Sequence, residues 1–380
     1  MSNIRVLVVD DSSLMRRSIS KILEAAPGIK VAGTASNGQE AVEMAVKLRP
    51  DVITMDVEMP VMDGLSALRE IVRRTNARVI MVSSETYEGS KQTIEALSIG
   101  AVDYVSKTSG QVSLDIAKIA SQLISKVKTA YNSKTVVFEP ISSVGDKFRQ
   151  IITEFSKRDK NLGLDHVRNG NEVVVQREIV AIASSTGGPA ALQVVLAGLP
   201  KDLPAGIIIA QHISQGFTQT LADKLNKVSS LDVRVCQGME EITPGLALLA
   251  PSGRHVTVRR SGAKIMAVLT DEPSDSLYKP SADVLFSSVA SSFGRNSCAV
   301  ILTGMGEDGA KGIKEIKDRG GFTIAQNEAT SVIFGMPKAA IESGAITTVA
   351  PLNEIPSKII ASLVATRDSK SNEMFTRSQT

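Results

Sequence analysis

Tryptophan is absent from this 380-residue chain, and aromatic residues make up only 3% of it. Its cores must be aliphatic, and any reading built on platforms for stacking nucleobases is weakened. Cysteine is nearly as scarce: Cys236 and Cys298 fit neither a disulfide framework nor a metal cluster. They read as buried thiols in a reducing compartment. Only His166, His212 and His255 can supply imidazole chemistry. A strong excess of one charge is also missing. The net charge of +3 gives no electrostatic case for nucleic acid or an anionic membrane as partner. No apolar run approaches the roughly 20 residues that cross a bilayer. The N-terminus enters strand-like sequence without a basic and then apolar leader. A soluble, cytoplasmic protein without membrane insertion is expected.

What is present is aliphatic and alternating. Hydrophobic residues form 43% of the chain, enough for two well-filled cores at this length. Continuous apolar runs at Ile4–Val9, Val31–Ala35, Asp51–Met55, Val79–Val82 and around Tyr104–Val105 read as strands. Helical patterns lie between them, one carrying Met15, Ile19, Ile22 and Leu23 on a single stripe. This predicts a doubly wound parallel sheet of flavodoxin-like type over residues 1–124. Residues 125–177 are polar and turn-rich and read as a linker, with some helix at Phe148–Phe155. A second α/β domain of mostly parallel sheet is expected over 178–366, followed by a polar tail at 367–380. Its strands include Ile179–Ala183, Gly206–Ala210 and Ala299–Leu302. Its helices are expected at 190–199, 218–227, 282–293 and 310–319.

In a parallel α/β sheet, chemistry gathers at the carboxyl ends of the strands. Asp10, Asp11, Asp56, Ser83 and Lys107 all end strands of the first block. A lone strand-end aspartate is an ordinary turn former, but this set makes a pocket. Clustered carboxylates repel, and Mg²⁺ relieves that repulsion while keeping positions open for phosphate. Asp56 could attack a phosphoryl group, with Lys107 and the Ser83 hydroxyl holding its oxygens.

The second block holds a strand, tight turn and helix start at Ala183-Ser184-Ser185-Thr186-Gly187-Gly188-Pro189. Such a turn presents a hydroxyl beside free N–H groups. Those around 186–188 could stabilise an oxyanion or cradle a phosphate, although no Walker loop or dinucleotide fingerprint is present. A serine nucleophile needs a base. His212 directly follows a buried strand, His166 lies in the linker, and His255 suits a turn cap. A third strand runs into Thr303-Gly304-Met305-Gly306-Glu307-Asp308-Gly309, where Glu307 and Asp308 compete as the orienting acid.

The first set of motifs, with Met55-Asp56-Val57-Glu58-Met59-Pro60 and Val105-Ser106-Lys107, resembles response-regulator receiver domains. The resemblance implies Asp56 as phosphoacceptor, with Asp11, Asp56 and the Glu58 carbonyl binding Mg²⁺ and Asp10 assisting. Thr108 departs from the usual proline there. The second set, with Ile209-Ala210-Gln211-His212, Ala325-Gln326-Asn327-Glu328 and Phe334-Gly335-Met336-Pro337, resembles the catalytic domain of chemotaxis-type protein-glutamate methylesterases. It implies Ser185 as nucleophile, His212 as base and Asp308 as acid, with Thr186 and the Met305 backbone positioning the intermediate, and no cofactor at that site. Ser184 departs from the family's usual glycine. The implied substrates are methylated glutamates, and glutamines, of methyl-accepting chemoreceptors, and the implied phosphodonor is a chemotaxis-type histidine kinase. The fusion predicts that the first domain covers the hydrolase cleft until Asp56 is phosphorylated. A non-enzymatic output domain and a nucleotide-binding turn are the competing readings.

Overall fold

A computed structural model describes residues 3–84, 87–107, 112–133, 172–175 and 177–367. His166, Thr108, the helix expected at Phe148–Phe155 and the tail from 368 lie outside the described residues.

The N-terminal domain alternates β1 (Ile4–Val9), α1 (Ser13–Glu24), β2 (Ile29–Ala35), α2 (Gly38–Leu48), β3 (Val52–Asp56), α3 (Gly64–Arg74), β4 (Arg78–Ser84), α4 (Tyr87–Ile99), β5 (Asp103–Lys107) and α5 (Val112–Tyr131). The strands are parallel in the order β2-β1-β3-β4-β5, the expected doubly wound arrangement. Ser12, Asn37 and Asp63 start the first three helices by accepting N–H bonds from Met15, Glu40 and Ser66. Helix α5 does not stop at 124. It continues to Tyr131 because Leu123, Val127 and Ala130 keep its apolar stripe buried.

The C-terminal domain opens with β6 (Glu172–Val175), β7 (Ile179–Ser184), α6 (Gly188–Ala197), β8 (Gly206–Gln211), α7 (Thr218–Val228), β9 (Asp232–Val235), β10 (Met239–Glu241), β11 (Leu246–Leu249), β12 (His255–Ser261) and β13 (Lys264–Thr270). It continues with α8 (Ala282–Phe293), β14 (Ser297–Ile301), α9 (Ala310–Asp318), β15 (Phe322–Gln326), α10 (Met336–Glu342), β16 (Thr348–Ala350), α11 (Ile355–Leu363) and β17 (Val364–Arg367). Seven strands form a parallel sheet in the order β16-β15-β14-β7-β8-β11-β9. An antiparallel sheet, β10-β13-β12, lies beside it. Strand β6 falls within the expected linker and pairs antiparallel with β17.

The central strands β14, β7 and β8 are buried along their whole length, as a parallel sheet covered on both faces requires. Their register pairs Ile301 with Ala183, and Ala183 with Ala210. The three strands therefore end level, and the loops after them meet at one edge.

The two domains share a packed boundary. Helix α4 lies against α6 and α7. Across it, Ser90 and Thr220 hydroxyls meet at 2.8 Å, and Gln193 Nε2 donates to Ser98 Oγ at 2.9 Å. The cluster containing Leu123 and Val127 of α5 extends to Val332 of the C-terminal domain.

Candidate active site and acidic pocket

Beyond β7 the chain turns sharply. Gly187 has φ +78°, a left-handed conformation that suits glycine, and a Cβ there would stand 2.7 Å from Val332. The turn separates the two serines. Ser184 is fully buried, and its hydroxyl donates to Gln211 Oε1 at 2.6 Å. That bond accommodates the departure at 184 and removes Ser184 as a nucleophile. Ser185 is half-buried and lines a cleft of 330 Å³ together with Thr186, His212 and Met305. Gly304 lets the neighbouring loop close on it, since a Cβ there would come within 2.8 Å of Ser185 Cβ.

His212 follows β8 at the same edge, and its N–H donates to Ser184 O at 3.0 Å. Its Nε2 lies 2.8 Å from Asp308 Oδ2. Asp308 sits at the N-terminus of α8. It accepts from Ser281 Oγ at 2.9 Å, Ala282 N–H at 2.7 Å and Asp283 N–H at 3.0 Å. Burial works to raise its pKa, but the His212 bond and the two helix N–H groups outweigh burial and hold it below the usual carboxylate range. An ionised Asp308 only accepts, so in the neutral imidazole Nε2 carries the proton and Nδ1 holds the bare lone pair. Nδ1 is buried with no hydrogen-bond partner among the described residues. The familiar serine-hydrolase arrangement puts the acid on Nδ1; here the two ring nitrogens exchange places. Ser185 Oγ has no hydrogen bond to the ring among the described residues, a looseness common before substrate binds. Glu307 points to solvent, so the structure separates the competing acids. His255 is fully buried, its Nδ1 accepting from Ser281 N–H at 3.1 Å and its Nε2 donating to Pro273 O at 3.2 Å.

Two turn N–H groups are engaged internally, Ser185 with Thr303 O and Gly188 with Ser185 O. Those of Thr186, Gly187 and Met305, three residues that line the cleft, have no partner among the described residues.

The N-terminal domain closes this cleft. Asp103, Tyr104 and Lys126 form part of its wall. Thr186 Oγ1 donates to Asp103 Oδ2 at 2.8 Å, and Lys126 Nζ holds the other carboxylate oxygen at 2.9 Å. Tyr104 Oη accepts from Ser214 N–H at 3.0 Å, and its ring packs 4.3 Å from that of Phe217. Thr129 Oγ1 reaches Met305 Sδ at 3.1 Å. Sequence reasoning missed Asp103, Tyr104, Lys126 and Thr129, because their roles arise from docking of one domain on the other.

At the carboxyl edge of the N-terminal sheet, oxygens of Asp10, Asp11 and Asp56 lie within 4.8 Å of one another. Lys107 Nζ stands 3.0 Å from Asp10 Oδ2 and 2.6 Å from Asp56 Oδ2. Burial raises the Asp56 pKa, and Lys107 offsets this only in part. Burial opposes the Lys107 charge, but Asp56 and Asp10 outweigh it and raise that pKa. Three carboxylates against one ammonium leave excess negative charge, and this set of hard oxygen donors fits a divalent cation such as Mg²⁺. Ser83 is buried with its hydroxyl donating to Gly89 O at 3.1 Å, and Glu58 is exposed.

Residues 180–359 match the family model described as CheB methylesterase, and residues 6–117 match the response regulator receiver domain. A protein-glutamate methylesterase/protein-glutamine glutaminase of Archaeoglobus fulgidus is 44% identical over 94% of this chain and 97% of its own length. A similarly named protein of Oleidesulfovibrio alaskensis is 42% identical over 94% of this chain and 98% of its own. The crystal structure of the Thermotoga maritima CheB methylesterase catalytic domain is 39% identical. It covers 49% of this chain and 99% of that one, with a TM-score of 0.48. No helix among the described residues is long and apolar enough to cross a membrane.

Proposed function

The chain belongs to the CheB methylesterase family, with a receiver domain ahead of the catalytic domain, and from that premise we propose that it hydrolyses glutamate γ-methyl esters, and deamidates glutamines, on chemoreceptors. The observation that carries the chemistry is His212, held by Asp308 at its Nε2, lining one cleft with Ser185.

Ser185 Oγ attacks the ester carbonyl while His212 Nδ1 takes its proton. The bond from Nε2 to Asp308 holds the ring and stabilises the imidazolium. The N–H groups of Thr186, Gly187 or Met305 donate to the oxyanion of the tetrahedral intermediate, each worth roughly 3–4 kcal/mol of barrier. Collapse breaks the C–O bond to the methoxy group, and His212 returns the proton so that methanol leaves. Water then adds to the acyl-serine by the same steps and releases glutamate. With glutamine, ammonia is the leaving group.

Control lies in the first domain. A histidine kinase passes a phosphoryl group from its phosphohistidine to an Asp56 carboxylate oxygen. Asp11, Asp56 and the Glu58 carbonyl would hold Mg²⁺, which when bound neutralises charge on the phosphoryl oxygens. Strand β5 links the sites, carrying Lys107 at one end and Asp103 and Tyr104 at the other. A phosphoryl group that draws Lys107 to itself disturbs the strand whose other end closes the cleft.

Ser185→Ala is expected to abolish methanol release from methylated receptor. Normal turnover by that variant would eliminate the mechanism.

A further inference from the structure

Among the described residues, the His212 ring is gripped by hydrogen bonding at one atom only, its Nε2. Histidine χ2 has a broad torsional well, so a ring held at a single point swings unless a wall confines its plane. That wall is Tyr278. Its ring lies nearly parallel to the imidazole, with centroids 4.3 Å apart and an interplanar angle of 7°. Tyr278 belongs to the segment 271–281 between β13 and α8, which has no regular secondary structure and yet is tied down. Gly253 N–H donates to Lys279 O at 3.0 Å, and Ser276 Oγ donates to Tyr278 O at 3.0 Å. Buried His255 bridges both ends of the segment, bonding Pro273 O and Ser281 N–H. Ser281 in turn donates to Asp308. One anchored loop thus supports both the acid and the face of the base.

Resting on the roles given to Ser185 and His212 above, we propose that Tyr278 is a positioning residue for hydrolysis. It fixes the imidazole plane, and with it the direction of the Nδ1 lone pair. Its π face also favours the imidazolium that forms as the base takes the serine proton. The ring contact does both, and the phenol hydroxyl is dispensable.

The test compares full-length wild type, Ser185→Ala, Tyr278→Phe and Tyr278→Leu in methanol release from methylated receptor. Tyr278→Leu is expected to lower kcat roughly tenfold with KM within about twofold, while Tyr278→Phe stays within about twofold of wild type in both. With three histidines in the chain, the His212 ring protons are assigned by their loss in His212→Gln. They should move downfield in the leucine variant, which lacks the shielding ring, and stay in place in the phenylalanine variant. A wild-type kcat in Tyr278→Leu, a loss confined to KM, or an unmoved His212 resonance overturns the proposal. Full activity in Ser185→Ala instead sinks the nucleophile assignment itself, and this inference with it.

Discussion

Asp56 ends a strand and Asp308 lies on the loop beyond one; both are largely buried, and they are driven in opposite directions. Asp308 is held below the normal carboxylate range because a histidine, a hydroxyl and two helix N–H groups converge on it. Asp56 is raised by burial, has Asp10 beside it, and has only one shared ammonium and the Val57 N–H to offset this among the described residues. The first is a finished charge whose task is to stay in place. The second is an unrelieved charge, and relief by a cation and a phosphoryl group is what makes it responsive. Burial alone predicts the rise at Asp56 but not the fall at Asp308, where the count of donors decides.

Breaking the finished site should have the largest effect. In Asp308→Asn an oxygen at the Oδ1 position keeps Ser281 Oγ and Asp283 N–H, while the amide NH₂ at the Oδ2 position faces His212 and leaves Ala282 N–H without its acceptor. The ring then accepts at Nε2 and carries its proton on Nδ1, the wrong tautomer for a base. A fall in kcat of roughly 10³–10⁴ is expected. The same substitution sharpens the electrostatic contrast. A carboxyl with a depressed folded pKa contributes stability that is complete above its unfolded value of 3.8 and is lost as pH falls through the depressed one. Thermal midpoints of wild type and Asp308→Asn should therefore differ at pH 7 and converge in strong acid. A constant gap across pH would remove the ionised-acid account.

The strand ends were legible in the sequence because parallel sheets force them together. Apolar runs leading into Asp10, Asp56, Lys107, Ser185, His212 and the loop that carries Asp308 need only correct pairing to form two sites. Residue pattern alone left Asp308 and Glu307 competing; the resemblance pointed to Asp308, and the physical reason, its place at the α8 N-terminus, is one no local pattern reveals. Helix α5 runs past residue 124, where the linker was expected to begin, because burial of Leu123, Val127 and Ala130 overrides the polar composition around them. Asp103 was invisible for a different reason. It begins a strand, at the sheet edge where chemistry is not expected, and acquires its role only when Thr186 of the other domain donates to it.

That contact joins the two regions and supports an intermediate prediction. Asp103→Ala removes a charge-assisted bond that closes the cleft, while leaving the Tyr104 and Ser90 contacts in place. Activity without phosphodonor should rise roughly three- to tenfold, and the further gain on adding phosphodonor should shrink by a similar factor. Activity equal to wild type in both conditions would mean that this carboxylate does not hold the closed form.

The smallest effect tests the unrelieved site directly. Asp56 has a raised folded pKa, so its contribution is favourable at low pH and is lost as pH rises; at pH 7 its ionised form costs stability. Asp56→Asn keeps the shape of the neutral acid, and Lys107 keeps Asp10 as its partner. The variant should therefore melt a few degrees higher than wild type at pH 7, on the order of 1 kcal/mol, with the difference closing below pH ~4. Added Mg²⁺ should stabilise wild type more than the variant, because the cation relieves the same repulsion that the substitution removes. A variant less stable than wild type at pH 7 would place the Lys107 ion pair above burial in the balance, and would make the two aspartates alike.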